Sequence, residues 1–571
     1  MTTDTSHDKA EPGASHIEGT RQQATKLSSL DDDVVVIDGR AIPIDSDELR
    51  DQMAAQIKAT KVSFISKEAF QLYFFLAVAY CRFDSSLMGA MNANDRWHSD
   101  LKIPKEGGFL GIVTAIYTIG NLSGSFIAGP ASDWYGRRIG MFSGATIVLT
   151  GAIVMGTCQN SGAYMAGRYL AGFGVAIVRS SAPSFVTELS PPQWRGPATL
   201  LYNSLWLIGA ILSSGIAYAT GPMDSEMSWR IPLILQVVPA SIVVLFSLFL
   251  PETPRWLIAN SRHDEARRIL AKYHTRGDEG HPLITLEMAE MQASIKQQAS
   301  DKRWYDYSEL VNTRSARYRT FLVVSIAAIG KKDSIRTLGL EQEADIRTRT
   351  GQWGGSNLTG YYQANILRSI GVTDQSQLLT FNLAYYVAAL GGATIGSLVC
   401  DMVGRRKLLM FGCLSMCFCL APLTGLTAHY DPDQPAAIGR LTIAFIFFVG
   451  IFHSGGINPL VVAYPVECLH TNTRAKGMGL NNFTLNVAEF VNTYGAPIAL
   501  ERIQWRIYII YTVWNMVQTL WIYFFFVETR SRTLEELDVI FEAKNPVKES
   551  LKKAREVEAI SANQVNSGSA V

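Results

Sequence analysis

Charged side chains inside long apolar stretches are the first chemistry this sequence offers. Asp84 lies in Phe83-Asp84-Ser85-Ser86-Leu87-Met88-Gly89, and Arg168 follows Gly167 in a second apolar run. A lone charge in hydrocarbon is costly, so its default reading is functional, with the carboxylate and the guanidinium as partners. A static buried ion pair is the alternative. A second set of charges is duplicated. Asp133-Trp-Tyr-Gly136-Arg137-Arg138 returns 268 positions later as Asp401-Met-Val-Gly404-Arg405-Arg406. Glu188 precedes Arg195 by seven residues, as Glu467 precedes Arg474, and Glu252-Thr253 is echoed by Glu528-Thr529. Paired Arg and carboxylate groups at helix ends can form bidentate hydrogen bonds that latch one side of a protein and break when it opens. The same arginines could instead serve only to fix topology.

The elements that must carry these groups are membrane-spanning helices. The chain has 571 residues, 48% of them hydrophobic, and a net charge of +1, values that alone do not separate soluble domains from a membrane bundle. The distribution does, because apolar residues gather in runs such as 233–250 and 507–527 while charges collect between them. About 20 such residues cross a bilayer core of about 30 Å as a helix, where backbone groups must pair internally. Spans are predicted near 70–90, 108–130, 138–158, 163–186, 199–219 and 231–250, then a broken span over 321–367, then 380–400, 407–427, 438–462, 478–500 and 506–527. The expected fold is an all-α membrane protein of twelve helices in two pseudo-symmetric six-helix bundles. Three motif pairs in the same order at nearly constant offset support that duplication.

The expected domain plan has a mobile tail over 1–68, bundles over 69–250 and 321–527, a linker with short helices over 251–320, and a second tail over 528–571. Basic residues, among them Arg137, Arg138, Arg195, Arg405, Arg406 and Arg474, fall on one side of the spans, which the positive-inside tendency makes cytoplasmic along with both termini. No secretory signal pattern, disulfide framework, metal cluster, nucleotide loop or catalytic nucleophile is read from the sequence. An enzyme and a nucleic-acid partner are not expected.

The motifs resemble the sugar porter family of the major facilitator superfamily from about the first span to Phe541. Gly129-Pro-Ala-Ser-Asp133-Trp-Tyr-Gly136-Arg137-Arg138 looks like the superfamily loop motif, and Pro251-Glu252-Thr253-Pro254-Arg255-Trp256-Leu257 like the signature after span 6. Gly167-Arg168 with Gly172, Gly174, Pro183 and Glu188 is similar to the span 4 signature, and Glu528-Thr529-Arg530 with Arg532-Thr533-Leu534-Glu535-Glu536 to the closing motif. Phe83 to Gly89 looks most like fungal hexose and lactose-permease-type members. The resemblance implies the major facilitator fold and sugar uptake across the plasma membrane by a monomer, with protons and a sugar as cargo and no cofactor beyond the proton gradient.

By that resemblance Asp84 takes up a proton, weakens its pairing with Arg168, and couples proton entry to the change of state; Arg82 stands where the family usually has Gly. Gln352, Asn357, Tyr361 and Tyr362 match the family's Q-x-x-x-x-N-x-x-x-Y-Y pattern on span 7, and Asn203 falls where the family places a sugar-binding Gln or Asn. Amides and hydroxyls of this kind suit ring hydroxyls, with aromatic faces for the apolar side of the ring. Val462 and Leu485 replace a family Trp and Asn, so no particular sugar is implied. A polyol, a quinate-like acid and a non-transporting sensor role stay open.

Residues 331–351 interrupt span 7 with nine charges. Removing them joins Phe321–Gly330 to Gln352–Leu367 as one apolar helix, so a retained intron is one explanation and a true insertion that displaces Gln352 the other. Sequencing the transcript separates them.

Overall fold

The computed structural model of the chain describes residues 34–37, 40–43, 83–191, 195–275, 277–299, 308–328, 355–429, 437–469, 474–530 and 534–552. The chain divides into a larger unit of Lys67–Glu188, Trp194–Thr253 and Arg303–Val571, and a smaller unit of Met1–Ser66, Leu189–Gln193 and Pro254–Lys302.

The first half of the larger unit runs through α1 (Phe83–Ala93), α2 (Asp95–Asp100), α3 (Gly108–Tyr135), α4 (Arg137–Thr157), α5 (Ser161–Leu189), α6 (Arg195–Thr220), α7 (Met227–Leu235) and α8 (Val237–Ser247). In the smaller unit are α9 (Pro254–Ala259), α10 (His263–His274) and α11 (Pro282–Ala299). The second half follows with α12 (Arg314–Ala328), α13 (Ser356–Tyr361), α14 (Gln363–Ser369), α15 (Gln375–Val403), α16 (Arg405–Ala428), α17 (Ala437–Gly456), α18 (Leu460–Cys468), α19 (Arg474–Ile503), α20 (Arg506–Phe525) and α21 (Leu534–Glu542). The described residues include helix in each of the twelve expected spans, the first being described only from Phe83 onward. The sixth changes helix at Gln236 and the tenth is interrupted before Leu460, where Pro459 lacks a backbone donor. The seventh is α12 and α13 to α14, and the segment 331–351 and Gln352 between them lie outside the described residues.

Six helices are long and apolar enough to cross a membrane among the described residues. The long helices that fall short include α5, which carries Arg168 and Arg179, and α19, which carries Asn481, Asn482, Asn486, Glu489 and Asn492. Polar side chains on a spanning helix are tolerated only where they face the bundle interior, so these two helices mark the inside. The halves meet along two seams, α3 against α19 and α6 against α15. Spans 2 and 11 in one seam become spans 8 and 5 in the other when the halves are exchanged, which is the expected pseudo-symmetry. Within the halves the exchange holds again, with α4 on α8 and α16 on α20. Small residues let the backbones close up, as where a Cβ on Gly172 would meet the Tyr117 carbonyl of α3 and one on Gly396 the Gly455 carbonyl of α17.

In the smaller unit α9, α10 and α11 bury Leu257, Ile258, Leu270, Ile284 and Met288 around one core. His274 Nδ1 and Glu287 Oε2 pair at 2.6 Å inside it, both fully buried. The segment expected to be a mobile tail contains an antiparallel hairpin of β1 (Val34–Ile37) and β2 (Arg40–Pro43), with Val34 opposite Pro43 and Ile37 opposite Arg40. Val34-Val35-Val36-Ile37 before Asp38-Gly39 is β-branched sequence ahead of a turn dipeptide, which accounts for it. The region expected as a second tail begins by packing on the bundle: Leu537, Ile540 and Phe541 join a cluster with Leu322, Tyr464 and Val527.

Candidate functional site

The duplicated loop motif builds a joint between consecutive spans. In the first half α3 ends at Tyr135 and α4 starts at Arg137, so Gly136 is the whole connection. Its backbone, φ 98° and ψ 157°, lies in a region that L side chains avoid. The joint leaves the first N–H groups of α4 with no capping side chain from Gly136. Glu252 supplies the acceptor from beyond span 6: Arg137 N–H donates to Oε1 at 3.0 Å, and Arg138 N–H to Oε2 at 3.3 Å. A carboxylate at a helix N-terminus also suits the helix dipole. Burial pushes the Glu252 carboxyl up from its ordinary value, while the N–H groups of Thr253, Arg138 and Arg137 pull it down less strongly. The Arg137 side chain pairs with Glu188 of α5 at 3.2 Å, and Arg138 donates to the Leu248 carbonyl at the end of span 6.

The second half repeats this bond for bond. Gly404 holds φ 99° and ψ 153° between α15 and α16. Arg405 N–H donates to Glu528 Oε1 at 2.9 Å and Arg406 N–H to Oε2 at 3.2 Å. Arg405 pairs with Glu467 of α18 at 3.1 Å, and Arg406 donates to the Tyr523 carbonyl of α20. Thr529 Oγ1 adds a bond to Glu467 Oε2 at 2.5 Å. Expected as a latch that closes one side, the Arg and Glu pairs described here each join elements of one half. Charge attraction is satisfied locally because the glycine joint delivers the arginine beside its own half's glutamate. The side chains of Asp133, Arg195, Asp401 and Arg474 lie outside the described residues.

On the opposite side of the bundle the halves are bonded to each other. Arg368 of α14 donates to the Asn92 carbonyl at the end of α1 at 3.0 Å and pairs with Asp95 Oδ1 at 3.0 Å. Lys105 reaches the same Asp95 oxygen at 2.6 Å, and Asn365 donates to the Lys105 carbonyl at 2.6 Å. Gln375 accepts from Asp95 N–H at 3.1 Å and donates to the Gly221 carbonyl at 3.0 Å. Deeper down, Asn92 donates to the Tyr361 carbonyl at 2.7 Å and Ser214 to Asn382 at 2.8 Å. These bonds tie the two halves together on this side. Asp95 and Arg368 were not singled out from the sequence, where only their place beside span ends hints at a role.

Between the two ends lie the groups expected to bind. Arg168 is buried on α5, its Nη2 3.5 Å from the Thr114 carbonyl and its guanidinium over the Tyr117 ring at 5.4 Å. Its Nε has no hydrogen-bond partner among the described residues. The Asp84 side chain lies outside the described residues, as do those of Asn203 and Asn357. Tyr361 is half-buried, and its hydroxyl is 3.5 Å from Glu489 Oε1 on α19. Tyr362, also expected to contact the substrate, is buried, and its hydroxyl donates to the Thr493 carbonyl at 2.7 Å, because a phenol inside a span needs an acceptor and the neighbouring helix offers one. Glu489 was passed over in the sequence, although an acidic residue in the middle of a predicted span was signal enough.

A family model described as sugar (and other) transporter matches residues 79–332 and 349–541. The chain belongs to this family. The match omits 333–348, inside the segment that interrupts span 7. Among related sugar transporter family members, the high-affinity glucose transporter of Kluyveromyces lactis is 26% identical over 476 residues, 80% of this chain and 81% of its own. A quinate permease of Neurospora terricola is 26% identical over 452 residues, covering 76% and 80%. The structure of the xylose transporter XylE from E. coli, titled as a partially occluded inward open conformation, superposes with a TM-score of 0.65 at 17% identity over 81% of this chain and 99% of that one. That likeness shows the major facilitator fold. The chain is thus a membrane transporter of the sugar transporter family, and its relatives are transporters rather than enzymes.

Proposed function

We propose that this protein is a proton-coupled sugar symporter that alternates access across the plasma membrane, with the arginine-rich side and both termini cytoplasmic. The observation that carries the coupling is Arg168, a buried guanidinium in a spanning helix whose Nε lacks a partner among the described residues. Such a group calls for an anion, and Asp84 on α1 is the carboxylate the sequence offers. Protonation of Asp84 would release Arg168, and the pair would re-form when the proton leaves on the other side. The proton gradient is the energy source in this reading, with no resident cofactor. Tyr361 with Asn203, Gln352 and Asn357 would contact the cargo. Closure on the side of Asp95 and Arg368 corresponds to the half of the cycle in which cargo leaves toward the cytoplasm. In the other half, the two joints would meet across the cytoplasmic end, each kept rigid by its glutamates.

The name of the Kluyveromyces relative supports glucose or a similar hexose as cargo, and that of the Neurospora relative keeps a quinate-like acid as the second reading. Uptake of radiolabelled sugars in a transporter-null cell, with and without a protonophore, tests the proposal. Uptake that collapses with the protonophore is the expected result. Uptake indifferent to it would reject the symport mechanism, and a chain at the surface that takes up no sugar would reject the cargo.

A further inference from the structure

Glu489 sits midway along α19, the helix that lies against α3 of the other half. Asn486, one turn before it, donates to Ser125 of α3 at 3.4 Å. Thr493, one turn after it, accepts from Tyr362 of span 7 through its carbonyl at 2.7 Å. Residues at this spacing share a helix face, so the Glu489 carboxylate is directed between span 7 and the first half. Its contact with the Tyr361 hydroxyl, 3.5 Å, is long for an O–H···O bond, which ordinarily measures about 2.5–3.0 Å. Among the described residues the acceptor capacity of the carboxylate is therefore largely unspent, and Tyr361 belongs to the motif expected to hold the cargo. None of the described ion pairs includes Glu489, so among the described residues no bonded cation lies against it.

We propose that Glu489 is a specificity-determining residue that admits an uncharged polyhydroxylated ring and turns away its carboxylated counterpart. The inference rests on the reading of the protein as a transporter of neutral sugars. A carboxylate has two oxygens and about four lone-pair sites, so it accepts from adjacent ring hydroxyls more strongly than a neutral amide does. The same charge opposes an anion. At about 5–8 Å and an effective dielectric of about 20, like charges repel enough to weaken binding roughly 30- to 300-fold. A cationic amino sugar gains where the acid loses.

The test is competition for uptake of labelled cargo by three probes of one ring shape, glucose, glucuronate and glucosamine, at mildly acidic pH where the amine is charged. Wild type and Glu489→Asp are expected to rank glucosamine at or above glucose, with glucuronate at least about tenfold weaker. In Glu489→Gln the gap between glucose and glucuronate shrinks about tenfold or more. An unchanged gap in Glu489→Gln with sugar uptake intact overturns the inference and leaves the transport function standing. Should Glu489→Gln fail to reach the membrane, the wild-type order decides by itself, and glucuronate competing as well as glucose overturns the proposal. The same order read as thermal stabilisation of the purified chain needs no transport. If none of the neutral sugars binds or is carried, the functional reading fails first and this inference with it.

Discussion

Replacing Gly404 by alanine strains the repeated joint at a point where the cost can be worked out. At φ 99° and ψ 153° an L side chain costs about 1–3 kcal/mol in backbone strain. The new Cβ would also lie 2.7 Å from Glu528 Oε2, so the carboxylate has to withdraw. Glu528 accepts N–H bonds from Arg405 at 2.9 Å, Arg406 at 3.2 Å and Arg530 at 3.1 Å. Losing one such bond to a carboxylate costs about 1.5–3 kcal/mol, which with the backbone strain comes to about 2.5–6 kcal/mol. Gly391, in the helix α15 that Gly404 ends, is the control, since a Cβ there meets nothing within 4 Å. Alanine at Gly391 is expected to be neutral or to stabilise by about 0.5–1 kcal/mol. Thermal unfolding of the purified protein in detergent reads the difference, with Gly404→Ala melting lower than Gly391→Ala by on the order of 5 °C. Equal melting temperatures would refute the argument that the carboxylate and the positive φ together demand glycine. Gly136→Ala, whose Cβ would meet Glu252 Oε2, should repeat the result in the first half.

Arg368→Ala removes the bonds to Asn92 and Asp95 that help close one side, so a cysteine replacing the buried Asn382 should react with an impermeant maleimide roughly tenfold faster than in the parent; equal rates would show that the seam holds without Arg368. Burial lowers the pKa of His98, in the loop helix α2, outweighing the carbonyls of Ile103 and Asn92 that face its ring nitrogens. Its neutral form is the one the fold favours, so the stability it contributes is present above the unfolded value of about 6.5 and is lost as pH falls through the lower folded value. Melting temperature should therefore drop on acidification below that value in wild type and drop less in His98→Gln, and parallel curves would count against it. Asp84→Asn should leave exchange of sugar down its gradient but abolish accumulation driven by a proton gradient, whereas retained accumulation would remove Asp84 from the coupling step.

The joints were legible because everything that makes them is local or duplicated: a glycine, two arginines, and a second copy of both. The role of Glu252 and Glu528 was only half legible. Their recurrence marked them, but that each caps a helix starting over 100 residues away depends on how span 6 or span 12 returns to the joint. Hydropathy located the spans, since a helix in lipid has to be apolar over a fixed length. It could not reveal the Asp95 and Arg368 pair, where charges at two span ends meet only after the halves dock. The aromatic pair shows what a motif leaves to the fold. Adjacent tyrosines on a helix point in different directions, so Tyr361 reaches Glu489 while Tyr362 is consumed by Thr493.

Counterflow in proteoliposomes tests the central claim most directly. Purified protein is reconstituted with a high internal concentration of unlabelled hexose, and external labelled hexose is followed over time. A carrier that alternates access will show a transient overshoot of labelled sugar above its equilibrium level, abolished when the internal sugar is omitted. Labelled sugar entering no faster than into protein-free vesicles, across hexoses, pentoses and disaccharides, would contradict the account.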